Sequence, residues 1–69
     1  MKNLKIKYQG EAIETTARTV AEFLSERSVD PAKAIVEYGG EVYAPGSDLG
    51  LLDLVDGVAL DVFTFTTGG

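Results

Sequence analysis

Cysteine, histidine and tryptophan are absent from this chain of 69 residues, and proline occurs only twice. Without cysteine there is no disulfide and no thiolate, and without cysteine and histidine the usual ligands of structural zinc are missing. Cysteine–histidine and serine–histidine catalysis are excluded on the same ground, because the nucleophile and its base cannot both be assembled. The domain by itself is therefore not expected to be an enzyme. No apolar run approaches the ~18 residues of a membrane span, and no cleavable leader precedes the first strand-like segment, so a cytoplasmic protein is the expectation. Cations are missing from the second half. All six (Lys2, Lys5, Lys7, Arg18, Arg27, Lys33) lie in the first 33 residues against five acids, a net +1, whereas six acids and no cation follow from Ala34 onward, a net −6. An acidic half of this kind disfavours nucleic acid, which requires a basic stripe, and favours a protein partner with a basic docking surface.

What is present is the composition of one small globular domain, 45% hydrophobic and 25% charged. A chain this short buries about 60% of the surface its unfolded form exposes, so its stability is marginal. The alternation of Leu4, Ile6 and Tyr8 with Asn3, Lys5 and Lys7 predicts a half-buried strand. Gln9-Gly10 offers a tight turn and Glu11–Thr16 a returning strand, giving an N-terminal hairpin.

Thr19 and Glu22 have the spacing of a capping box, and Val20, Phe23 and Leu24 fall at i, i+3 and i+4, so a helix with one apolar face is predicted from there to about Ser28. Asp30-Pro31 is expected to close it, because proline disfavours helical angles in the residue before it. Ala34–Tyr38, Gly39-Gly40 and Glu41–Tyr43 suggest a second hairpin. The glycine-interrupted stretch from Gly46 to Val55 suggests a single helical turn with inward leucines. Asp56-Gly57 then marks a turn before the longest strand candidate, Val58–Phe65.

The predicted fold class is α+β, a mixed sheet of four to five strands with one main helix across one face, the first and last strands pairing in parallel at its centre. In the last strand Leu60, Val62 and Thr64 share one face and Asp61, Phe63 and Phe65 the other. With Asp61 toward water, Phe63 and Phe65 lie on the side the helix leaves uncovered, near Lys5 and Lys7, and exposed aromatics clustered on a sheet suggest a protein contact. The opposite orientation would place Phe63 and Phe65 in the core. No spacing of the acidic residues points to a metal.

Taken together, Lys5–Glu11, Thr19–Leu24, Ala34–Val42, Asp56-Gly57 and the terminal Gly68-Gly69 resemble the ubiquitin-like sulfur carriers of the ThiS/MoaD group, with ThiS as the nearer branch. The likeness spans essentially the whole chain and implies a β-grasp domain over residues 1–65 with a flexible Gly-Gly tail over residues 66–69. It departs from the ThiS pattern at Gly39-Gly40-Glu41, where that group tends toward Asn-Gly-Glu, and at Gly46, where a basic residue is usual.

The resemblance implies that the chain is a protein substrate and sulfur donor rather than an enzyme. An E1-like (ThiF-like) adenylating enzyme would bind ATP and magnesium and convert the Gly69 carboxylate to an acyl-adenylate. A sulfur donor such as a cysteine desulfurase would then supply the sulfur of a Gly69 thiocarboxylate, to be handed to a ThiG-like thiazole synthase of thiamine biosynthesis. No cofactor would be bound by this chain. Gly68 would let the tail thread a narrow channel, since residues without side chains adopt unusual backbone angles at little steric cost. Phe63, Phe65, Thr66 and Thr67 would meet the partner, and four residues from Thr66 reach at most about 13 Å. Two alternatives are a carrier for molybdopterin, a tungsten cofactor or another metabolite, and a ubiquitin-like protein modifier.

Overall fold

The computed structural model describes residues 3–65. These form a small α+β domain, a mixed five-stranded sheet with one helix on one face. Strands β1 (Leu4–Tyr8) and β2 (Glu11–Thr15) make the first hairpin, with Ile6 opposite Ile13. Gln9 and Gly10 both have positive φ, 53° and 82°, the backbone that a two-residue turn needs to match the twist of the flanking strands. Glycine adopts it freely; glutamine does so against the steric preference of a side chain.

Helix α1 (Val20–Glu26) begins as the cap spacing predicts. The Glu22 amide donates to Thr19 Oγ1 at 3.1 Å, and the Glu22 carboxylate accepts from the Arg18 amide at 2.8 Å, one residue further back than in the usual reciprocal box. Seven residues are too few for an isolated helix to persist in water, so packing holds this one. Val20, Phe23 and Leu24 are at most 1% exposed.

The helix stops earlier than expected, and by a different device. Ser28 turns to φ 59°, its amide donates to the Ser25 carbonyl at 3.1 Å, and the Val29 amide donates to the Leu24 carbonyl at 2.9 Å. That is a Schellman closure, completed before Asp30-Pro31 is reached. Asp30 instead caps a short 3₁₀ turn, Pro31–Lys33, by accepting from the Ala32 amide at 3.0 Å.

The second hairpin consists of β3 (Ala34–Tyr38) and β4 (Glu41–Tyr43), and the last strand is β5 (Ala59–Thr64). The sheet order is β2-β1-β5-β3-β4, with β1 and β5 parallel and β3 antiparallel to both of its neighbours. Between Gly46 and Val55 there is one 3₁₀ turn, Leu49–Leu51. Leu49 and Leu54 enter the core, but Leu51, expected to face inward, is 78% exposed. A 3₁₀ turn advances three residues per revolution, so Leu49 and Leu51, two residues apart, cannot both point inward.

This connection is pinned to the start of the helix by the Val20 amide on the Leu52 carbonyl (2.9 Å) and the Leu54 amide on the Arg18 carbonyl (2.8 Å), and the Tyr38 hydroxyl donates to the Asp53 carbonyl. At the other end of the helix the Arg27 guanidinium lies 5.1 Å from the centroids of both the Tyr8 and Phe23 rings, a cation–π contact joining α1 to β1. Among the described residues no helix is long and apolar enough to cross a membrane.

Candidate functional site

The candidate residues project from β5 and the segment just after it. Asp56-Gly57 sets the strand's start: Asp56 Oδ1 accepts from the Lys5 amide at 2.8 Å, and the Gly57 amide donates to the Lys5 carbonyl at 2.6 Å. The turn that the sequence marks is thus also the tie between the beginnings of β1 and β5.

Along β5, Leu60 (0% exposed) and Val62 (4%) face the helix, while Phe63 (57%) and Phe65 (43%) are exposed. The strand parity therefore places both aromatics on the side away from the core. Asp61, expected to face water, is half-buried on that same side, directly opposite Glu37 of β3. Phe63 sits opposite Ile35, and Val42, 68% exposed, lies across from Glu37 on β4. Ile35 and Val42 were not among the residues the sequence singles out; the register of β3 against β5 sets Ile35 opposite Phe63, and that of β4 against β3 puts Val42 in the row of Glu37 and Asp61.

The proximity of Phe63 and Phe65 to Lys5 and Lys7 is not found. Lys7 pairs with Ala59, four residues before Phe63, and β1 ends at Tyr8 opposite Leu60. At about 3.3 Å per residue, Phe63 lies roughly 13 Å along the strand from Lys7. The lysines share the open face but flank its other end, with Lys5 beside Glu14 and Lys7 beside Ala12. The carboxylates of Glu37 and Asp61 thus occupy the middle of the face, and like charges in directly opposite positions are unfavourable.

The far end of β5 is held on both sides. The Phe65 amide donates to the Lys33 carbonyl at 3.2 Å. On the opposite edge, the Gln9 side chain donates through Nε2 to the Val62 carbonyl at 2.8 Å and accepts the Val62 amide at Oε1 at 3.1 Å. Gln9 read in the sequence only as part of a turn. Its one signal is that glutamine stands where asparagine, aspartate or glycine is usual. Thr66, Thr67, Gly68 and Gly69 lie outside the described residues.

Elsewhere, an open depression of about 260 Å³ is lined by Lys5, Ile6, Lys7, Ala12, Asp56 and Gly57, and one of about 490 Å³ by Leu4, Arg18, Asp53, Leu54 and Val55. Among the described residues no three potential ligating side chains gather as a metal site would require. The Tyr43 hydroxyl donates to Glu41 Oε1 at 3.1 Å, and this bond, reinforced by partial desolvation and by the negative charge of Glu41, raises the phenol above its ordinary value. No family model, no curated protein and no solved structure matches this chain.

Proposed function

We propose that this chain is a cytoplasmic, ubiquitin-like sulfur carrier of the ThiS/MoaD group with a β-grasp fold, a protein substrate for partner enzymes rather than an enzyme itself. The observation that carries the reading is the last strand. It runs parallel to the first at the centre of a mixed sheet, exposes Phe63 and Phe65 on the face that the helix leaves open, and is followed in the sequence by Gly68-Gly69. A rigid domain with an apolar, acid-centred docking face at the base of a small-residue tail suits a partner that holds the domain outside while the tail enters a buried site.

In this reading Gly69 ends the chain and its α-carboxylate is the working group. An ionised carboxylate is a poor acyl donor, so activation precedes transfer. A carboxylate oxygen attacks the α-phosphorus of magnesium-bound ATP on an E1-like adenylating enzyme and pyrophosphate leaves. Sulfide then attacks the acyl carbon and AMP departs with that oxygen, leaving a thiocarboxylate. The acceptor is a thiazole synthase, and a cysteine desulfurase stands upstream as sulfur source, its persulfide reduced by a thiol to release the sulfide while the two thiols leave as a disulfide. ATP and magnesium belong to the activating partner. Phe63 and Phe65 dock, and Thr66, Thr67 and Gly68 carry the carboxylate inward.

Intact mass after incubation with a ThiF-like adenylating enzyme, magnesium-ATP and sulfide tests the reading, with a chain lacking Gly68 and Gly69 as control. The expected result is replacement of one oxygen by sulfur in the full chain only, with unchanged melting of the truncated form. No mass change, with the enzyme active on its own carrier, overturns it.

A further inference from the structure

Gln9 combines two features that a turn alone does not explain. It is a non-glycine residue at φ 53°, a position where asparagine would satisfy the turn at lower cost. It also spans to a residue 53 positions away with both polar atoms of its side chain. The parallel ladder shows what those atoms replace. The Lys7 amide donates to the Val58 carbonyl and the Gln9 amide to the Leu60 carbonyl, so the next rung would come from a residue 11 still travelling with β1. Glu11 has instead turned back into β2. The Gln9 carboxamide supplies both missing groups, a donor for the Val62 carbonyl and an acceptor for its amide. Asparagine, shorter by one methylene, keeps the turn and falls short of Val62.

We propose that Gln9 is a positioning residue: its side-chain amide clamps β5 past the end of β1 and thereby fixes where the chain leaves the domain toward Gly69. The proposal rests on the carrier reading. With the clamp in place β5 is held on one edge by Gln9 at Val62 and on the other by the Lys33 carbonyl at Phe65. Without it the strand beyond Leu60 is held from the β3 side alone. A reacting carboxylate delivered from a strand end that swings spends less time aligned with its target, and misplacement of about 1 Å can cost about a hundredfold in rate. Docking through Phe63 does not depend on Gln9, because Phe63 points to the open face and Gln9 acts on the edge of the strand.

The test is Gln9→Asn in the full chain, read three ways. Melting should stay within about 5 °C of wild type, the better turn residue offsetting the lost bonds. Hydrogen exchange of the Val62 amide should accelerate at least about tenfold, reporting the opened clamp. Adenylation should lose about tenfold in kcat with KM for the carrier within about twofold, the pattern of lost alignment rather than lost docking. Unchanged Val62 exchange, unchanged kcat, or a rise in KM alone would each overturn the proposal. A wild-type chain that the adenylating enzyme does not take up overturns the carrier reading as well, whereas wild-type uptake with an equally active Gln9→Asn chain overturns this inference only.

Discussion

Truncating Phe63 and truncating Leu60 remove large apolar side chains from positions three apart in one strand, and the two changes should have opposite signatures. Leu60 is 0% exposed, at the centre of the sheet between β1 and β3. Leu60→Ala leaves a cavity that the surrounding strands cannot fill, and about 2–5 kcal/mol is expected to be lost. A domain of 69 residues has roughly 3–10 kcal/mol in total, so this variant should lose a large fraction of its stability. Phe63 is 57% exposed, so about two fifths of its surface is withdrawn from water. Scaling the ~2–3 kcal/mol of a fully buried phenylalanine by that fraction gives about 1 kcal/mol, or a fall in melting temperature of about 4–8 °C. Binding per folded molecule should show the reverse order: once Kd is corrected for the folded fraction of each variant, Leu60→Ala binds as wild type, whereas an exposed aromatic at the centre of an interface is worth ~2 kcal/mol or more, about thirtyfold in Kd. Urea unfolding followed by circular dichroism, paired with calorimetric titration of the adenylating enzyme, reads both quantities. If Phe63→Ala destabilises as much as Leu60→Ala, the assignment of faces in β5 is wrong; if its Kd is unchanged, the docking role is wrong.

Thr19→Ala should lose about 1 kcal/mol by freeing the Glu22 amide, and Thr19→Ser should restore it, both measurable from the urea midpoint. Tyr43 should be displaced above its ordinary value in an ultraviolet titration of the phenolates, and Glu41→Gln should lower it. Because this phenol binds its proton more tightly folded than unfolded, its contribution to stability is present below the ordinary tyrosine pKa of about 10 and is lost as pH rises through the folded value. Tyr43→Phe should abolish that alkaline loss; an unchanged pH profile would contradict the Glu41 bond.

Much of the architecture was written in local chemistry. The period-two alternation in β1, the two-residue turns at Gln9-Gly10 and Gly39-Gly40, the Thr19–Glu22 cap and the parity of β5 are each decided within a few residues, so the sequence alone located them. The closing device at Ser28 has no compositional mark, because serine rarely takes positive φ, whereas Asp30-Pro31 is a visible stop signal two residues further on. The outward direction of Leu51 escaped because one 3₁₀ turn has too few residues to show a period.

The sequence by itself determined the elements, the exclusion of cysteine and histidine chemistry, and the crowding of negative charge into the second half. The tertiary structure decided which residues meet across the sheet. Register and strand order are set by pairing between distant segments, and that pairing depends on the joint burial of Leu60, Val62, Phe23 and Ile6 rather than on any short motif. It placed Ile35 beside Phe63, moved Lys5 and Lys7 to the far end of the open face, and carried the Gln9 side chain to Val62.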